Sequence, residues 1–394
     1  MNKQSIAQVV DNIYEVLTRG VQDILPSKES LAKLLGERQI TLYQGFDPSM
    51  PSLHLGNFTG LMKLRAFQKL GHKVIFLVGD FTGMIGDPDK ISTRVPLTRE
   101  QTLKNSEVWK TQASKVLAFE GENPAVMLFN SKWNDSIEFK ELIEITSHFT
   151  VQQILERDMF QKRLKENRPI RLHELLYPVT QAIDSIKMVH GGVDLEIGGN
   201  DQLFNILAGR NLMKDIWKKE KYILTTKLLV DKEGNKVGKT TGNALFLDAD
   251  SGTLFAGVMS FPDEVIELGF ELLTELDLGG ISEKVKEDPM GEKKRLAFEV
   301  TKIIHGEDEA KKAKVSFENT FQKRDPNYTK TVTIQKSLTY TIAQEIGSNS
   351  EAKRLINQGA VDVNNNAVRN PTHKVNVGDN IKVGEKIFLK VVEK

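Results

Sequence analysis

Between Ile40 and Gly79 the chain runs strand, Gly/Pro loop, helix, strand, and that order leaves few folds open. Ile40–Gly45 and Val74–Gly79 are short apolar or β-branched runs, while Gly56–Leu70 carries its apolar residues at helical spacing. Two strands joined through a helix run parallel, and a parallel sheet is covered by helices on both faces. Ala125–Phe129, Val193–Ile197 and Tyr222–Leu229 continue as strands, separated by helical stretches at Glu100–Phe119, Ile137–Ser147 and Glu174–Val189. The pattern predicts an α/β fold with a Rossmann-like, doubly wound parallel sheet over residues 39–228.

Residues 1–38 read as two amphipathic helices capping that domain, with Ile6, Val9, Val10, Ile13, Val16 and Leu17 at helical spacing and Pro26-Ser27-Lys28-Glu29 opening the second. After Leu247 the strand signal stops. Residues 229–322 are then a loop and a helical domain, with helices at Glu264–Leu276 and Lys293–His305. The polar run from Gln322 to Asn327 marks a linker, 323–332. A small α+β unit follows over 333–394, with a helix at Ser350–Gln358 and strands at Ala360–Val363, Asn380–Val383 and Lys386–Val392.

Charge and cysteine content narrow the partners. Lys plus Arg number 54 against 53 for Asp plus Glu, so no whole-protein field draws the chain to nucleic acid or membrane. Any nucleic-acid site is local, and the last unit carries 9 Lys/Arg against 6 Asp/Glu over 333–394, a basic face that suits either an RNA backbone or plain solvation. The absence of cysteine removes disulfides, thiolate nucleophiles and Cys-type zinc sites. No apolar leader follows Met1, and no run approaches the roughly 18 apolar residues of a membrane span. The expectation is a cytoplasmic protein without membrane contact.

Two loops carry chemistry. In Gly45–Asn57, between a strand and a helix, the helix N-terminus offers N–H groups and partial positive charge to an anion, Gly56 lets backbone approach, and His54 and Asn57 are three apart. A plain turn capped by Asp47 with an exposed His54 suits the same residues. In Asp231–Gly242, Lys236, Lys239 and Thr240 sit on a glycine-rich loop, suited to charge on a leaving polyphosphate. It is not a Walker A loop, and taken alone it reads better as a solvated hairpin turn.

Together the loops resemble the HIGH and KMSKS signatures of class I aminoacyl-tRNA synthetases, His54–Asn57 standing for the first and Lys236–Thr240 for the second. Tyr43–Pro48, Val78–Pro88, Tyr177–Asp184 and Gly198–Gln202, in that order, narrow the resemblance to bacterial tyrosyl-tRNA synthetases. Ser350–Val361 resembles an S4 RNA-binding domain. Two departures matter: Asn57 replaces the second His of HIGH and cannot carry charge, and the second loop reads Lys236-Val237-Gly238-Lys239-Thr240, keeping both lysines and, at Thr240, a hydroxyl where the family has Ser.

The resemblance implies a tyrosine–tRNA ligase, which makes tyrosyl-adenylate from L-tyrosine and ATP and passes tyrosine to tRNA(Tyr). It gives His54, Asn57, Lys236, Lys239 and Thr240 to catalysis on the phosphates. It gives Gly45, Asp47, Gly56, Gly199 and Asp201 to ATP, with Mg²⁺ riding on the polyphosphate rather than on protein ligands. Tyr43 and Asp184 would hold the phenolic OH, Asp87, Tyr177 and Gln181 the α-amino group, and Gln202 the carboxylate. Spacing supports part of this, since Tyr177, Gln181 and Asp184 fall on one helical face. Lys353, Arg354 and Arg369 would track tRNA. The resemblance also makes the insertion at about 109–160, with Phe129, Trp133, Phe139, Leu142, Ile143 and Phe149, a homodimer contact. A nucleotidylyl-transferase would share only the first loop, and an RNA-binding protein built on a decayed synthetase would have lost the tyrosine pocket.

Overall fold

The computed structural model describes residues 6–88, 96–237, 239–240, 243–322, 328, 330–384 and 387–393. The chain divides into two compact units, Met1–Ala310 and Lys311–Lys394.

In the first unit β1 (Val21–Leu25), β2 (Thr41–Phe46), β3 (Lys73–Val78), β4 (Val126–Phe129), β5 (Leu195–Gly199) and β6 (Tyr222–Thr226) form one sheet in the order β1-β6-β5-β2-β3-β4. All neighbours pair parallel except β1, which lies antiparallel on the β6 edge. The expected doubly wound sheet is present. Its apolar runs have the cause inferred for them: Val74, Ile75, Phe76, Leu77 and Val78 are buried in succession because helices cover both faces. The Leu55–Lys69 helix supplies Leu55, Phe58, Leu61, Leu64 and Phe67 to this core. From β2 the chain winds to β3 and β4 on one side, then returns to β5 and β6 on the other. Strand order therefore reverses between β2 and β5, and a crevice opens beyond their carboxyl ends.

The reading of residues 1–38 as helices alone is corrected by β1, which lies between helices Ile6–Val16 and Lys28–Glu37. A register irregularity between Val21 and Asp23 breaks the two-residue alternation that would have announced the strand. The stretch Glu100–Phe119 is likewise two helices, Arg99–Ser106 and Trp109–Ala113. After the loop a short hairpin joins β7 (Lys239–Thr240) to β8 (Asn243–Ala244), and helices follow.

The second unit is a five-stranded sheet of β9 (Lys330–Thr333), β10 (Val361–Val363), β11 (Asn366–Ala367), β12 (Asn380–Val383) and β13 (Ile387–Val392), ordered β11-β10-β12-β13-β9. Leu338, Ile342, Ala352 and Ile356, from helices Leu338–Ile346 and Asn349–Asn357, close its core against Val361, Ile381 and Leu389. β9, which pairs parallel with β13, falls largely in the stretch read as linker. Four residues, Lys-Thr-Val-Thr, with one fully buried side chain give no readable alternation.

One ion-pair cluster fixes where β2 and β5 begin. Asp194 accepts from both Arg38 guanidinium nitrogens (2.8 and 3.1 Å) and from the Thr41 N–H (2.9 Å), and pairs with Lys219 (2.9 Å). Burial alone would raise its carboxyl, but Arg38, the Thr41 amide and Lys219 together hold it at about 2. The folded value lies below the unfolded one, so the stabilisation is complete above about pH 4 and is lost as pH falls through about 2. Because the partners are partly exposed, we expect Asp194→Asn to cost about 1–2 kcal/mol at pH 7. In urea unfolding the gap between native and variant chains should shrink steadily below pH 4; a gap constant down to pH 2 would refute the assignment.

Candidate active site

The crevice between β2 and β5 gathers most of the expected residues. Tyr43, Gly45, Asp47, His54, Gly56, Asn57, Tyr177, Gln181, Asp184, Gly199, Asp201, Gln202 and Lys236 all line it. They come from β2 and the loop after it, the start of the Leu55–Lys69 helix, the end of β5 and the Asn200–Gln202 turn, the Leu172–Lys187 helix and the Asp231–Lys236 turn.

His54, not Asp47, caps the helix after β2. Its Nδ1 accepts from the Asn57 N–H (3.3 Å), while the Asn57 side-chain oxygen accepts from the His54 N–H (3.0 Å). This reciprocal cap gives Asn57 a physical role in the helix start. With Nδ1 accepting, the neutral ring carries its proton on Nε2, a donor for a phosphate oxygen. Gly56 makes the geometry possible, since a Cβ there would stand 2.9 Å from the imidazole Cε1.

Asp47 turns inward. It accepts from Thr82 Oγ1 (2.7 Å) and from the Tyr177 hydroxyl (2.7 Å), which ties the β2 loop to the Leu172–Lys187 helix. The second loop reaches the same place. Lys236 Nζ pairs with Asp201 at 2.6 Å, and the segment beyond β8 lies beside His54, with Leu55 N–H donating to Leu245 O (3.0 Å) and Leu247 N–H to Leu53 O (2.8 Å). The side chains of Lys239 and Thr240 lie outside the described residues.

At the deep end Asp184 is buried, accepting from Trp133 Nε1 (2.8 Å), Asn130 Nδ2 (3.3 Å) and Asn134 Nδ2 (3.4 Å). Burial pushes its carboxyl up to about 8, against the pull of those donors. Tyr43 is buried beside it, its hydroxyl 3.0 Å from Ser185 Oγ. Burial, with Glu196 and Asp184 nearby, holds the Tyr43 phenol well above its usual range.

Asp87 sits one layer back. It accepts from Arg157 (3.1 Å) and from Gln202 Nε2 (2.9 Å), so it steadies Gln202 from behind. Sequence reasoning missed Arg157, Asn130, Ser185, Glu196 and Lys221, gave Thr82 no role within its motif, and put Trp133 in the dimer contact, whereas Trp133 is buried and donates to Asp184. One signal was available: Glu196 is a carboxylate inside an otherwise apolar strand.

In the second unit Lys353, Arg354 and Arg369 are exposed. Arg354 is paired with Glu351 three residues back, which reduces the charge it offers. No helix among the described residues is long and apolar enough to cross a membrane.

A family model described as tRNA synthetases class I (W and Y) matches residues 35–322, and an S4 domain model matches 343–381. The tyrosine–tRNA ligase of Aquifex aeolicus (strain VF5) is 40% identical over 388 residues, 96% of this chain and 97% of its own. That of Haemophilus ducreyi (strain 35000HP / ATCC 700724) is 37% identical across 99% of this chain and all of its own, 100%. In fold, the C-terminally truncated mitochondrial tyrosyl-tRNA synthetase of Aspergillus nidulans superposes with a TM-score of 0.68 at 23% identity, covering 79% of this chain and 94% of that one. Matched by the family model over most of its length and by these relatives nearly end to end, the chain belongs to the class I tRNA synthetases, among the tyrosine–tRNA ligases.

Proposed function

We propose that the crevice between β2 and β5 is where this ligase activates L-tyrosine with ATP. The observation that carries the reading is the convergence of His54, Asp201 and Lys236 at one end with Tyr43 and Asp184 at the other. The tyrosine carboxylate attacks the α-phosphorus in line, and the bond from that phosphorus to the α,β-bridging oxygen breaks to release pyrophosphate. No protein nucleophile is needed, so placement and charge neutralisation do the work. His54 Nε2 donates to the phosphates, Asn57 orients that ring, and Gly45 and Gly199 let backbone approach the nucleotide. Asp201 takes ribose hydroxyls and exchanges its Lys236 partner for them as the loop closes.

Among the described residues no cluster of three His, Asp or Glu is placed to hold a metal. Mg²⁺ would enter as an ion carried by the triphosphate, with phosphate oxygens and water as ligands.

Tyr177, Gln181 and Asp87, the last through Gln202, set the amino-acid end. The second unit supports tRNA(Tyr) binding through Lys353, Arg369 and, once released from Glu351, Arg354. Exposed Phe139 and Ile143, four apart on the Phe139–Thr146 helix, fit a homodimer contact of two like faces. Sedimentation should give two chains for the native protein and one for Phe139→Asp; a native monomer would remove this contact from the account.

Lys239→Ala tests the loop. Pre-steady-state adenylate formation should slow by about 10²-fold, with tyrosine affinity nearly unchanged, because the lysine acts on charge that develops in the transition state. Weakened tyrosine binding at an undiminished rate would place the loop in the amino-acid pocket instead.

A further inference from the structure

Behind the tyrosine end of the crevice lies a charge pair to which no role has yet been given. The Lys221 ammonium is fully buried and the Glu196 carboxylate nearly so, with side-chain exposures of 0% and 3%, and the two are bonded to each other. Lys221 Nζ also donates to Ser185 Oγ at 2.8 Å, and Ser185 Oγ is 3.0 Å from the Tyr43 hydroxyl. The other Glu196 oxygen, Oε1, accepts from Gln181 Nε2 at 3.3 Å. One ammonium thus reaches, through a single residue each way, the side chains placed at the two ends of the bound tyrosine.

Stability does not account for the pair. Desolvating two charges offsets most or all of their attraction, and well-packed apolar residues serve a core equally well. The fold also makes space for it: a Cβ on Gly209 would lie 2.6 Å from both Lys221 Nζ and Ser185 Oγ. A glycine inside the Leu203–Trp217 helix leaves the ammonium its room at a cost in helix propensity.

The chemistry explains the arrangement. A carboxylate only accepts, so ionised Glu196 draws the NH₂ end of the Gln181 amide and turns the other end away. The Gln181 carbonyl oxygen is buried and has no hydrogen-bond partner among the described residues. A buried acceptor left in that state calls for a donor, and an amino-acid ammonium is one. We propose that the Lys221–Glu196 pair is the positioning unit of the tyrosine pocket, with Glu196 aiming the Gln181 oxygen at the α-ammonium and Lys221, through Ser185, seating the Tyr43 hydroxyl for the phenol. The proposal rests on the tyrosine roles given above to Tyr43 and Gln181.

The test compares native chain, the doubly neutral variant Lys221→Met/Glu196→Gln, and Gly209→Ala by ATP–pyrophosphate exchange and thermal melting. The double variant leaves no unpaired charge. Gly209→Ala favours the helix while pressing on both Lys221 Nζ and Ser185 Oγ, and thermal melting shows that its fold holds before its kinetics are read. Both variants should raise KM for tyrosine, about tenfold or more in the double variant, with KM for ATP and kcat within about threefold of native. If the double variant does not fold, Gly209→Ala decides. An unchanged tyrosine KM in a folded variant, or equal rises in both KM values, would overturn the proposal. A native chain that did not use tyrosine would instead overturn the reading of the crevice.

Discussion

Asp184→Asn should lower kcat/KM for tyrosine by about 10²-fold or more while barely changing the slow reaction with phenylalanine. The carboxyl is fixed by Trp133, Asn130 and Asn134, and its remaining hydrogen-bonding capacity faces the crevice beside the Tyr43 hydroxyl. Beyond their bonds to Asn130, Trp133, Asn134 and Ser185, the two groups keep hydrogen-bonding capacity that a phenol meets and a phenyl ring does not. Rejection of phenylalanine by about 10⁴–10⁵-fold is established behaviour of tyrosyl-tRNA synthetases, and we carry that figure over from them. Asn keeps an oxygen for Trp133 but presents an amide where a carboxyl oxygen stood. Ala would be a poorer probe, because it strips the acceptor from three buried donors and so lowers stability too. Steady-state exchange kinetics with the two amino acids decide the matter, and an equal loss with both would move the phenol contact elsewhere.

Ending the chain at Asp325 should leave tyrosine-dependent pyrophosphate exchange within about twofold of native and reduce tRNA aminoacylation by about 10²-fold or more. The first unit has its own core and contains every residue assigned to activation, while the second has a separate core and the local positive balance. Charging by the full chain should also fall steeply with added salt, as binding through phosphate contacts does. A Lys353→Ala/Arg354→Ala chain should show a milder version, milder still because Glu351 already neutralises Arg354. Loss of both activities on truncation would mean that the second unit supports the catalytic fold, and undiminished charging would mean that it does not hold the productive tRNA.

What could be read from the sequence followed from local physics. β3 is legible because a strand covered on both faces is an unbroken apolar run, and β2 and β5 are legible as short apolar runs next to glycine-rich loops despite Gln44 and Glu196. β1 and β9 are not, one interrupted by an irregular register and the other too short for a pattern. The residues of the site that were legible sit in loops at strand ends or recur along one helix, as Tyr177, Gln181 and Asp184 do. The rest depend on tertiary approach. Trp133 and Asn130 reach Asp184 across more than fifty positions, and Lys221 meets Glu196 and Ser185 only once the Leu203–Trp217 helix has packed on the Leu172–Lys187 helix. The cap at His54 shows the opposite case: a three-residue spacing was visible, yet its bonding partner was the helix itself.

In the function proposed above, the crevice where β2 and β5 part reads the hydroxyl of tyrosine and joins its carboxylate to ATP. The most direct test is pyrophosphate exchange by the native chain, with ATP and Mg²⁺, measured for each of the twenty amino acids in turn. Tyrosine alone should drive rapid exchange, with phenylalanine lower by several orders of magnitude. Comparable exchange with phenylalanine, or none with tyrosine, would contradict the account.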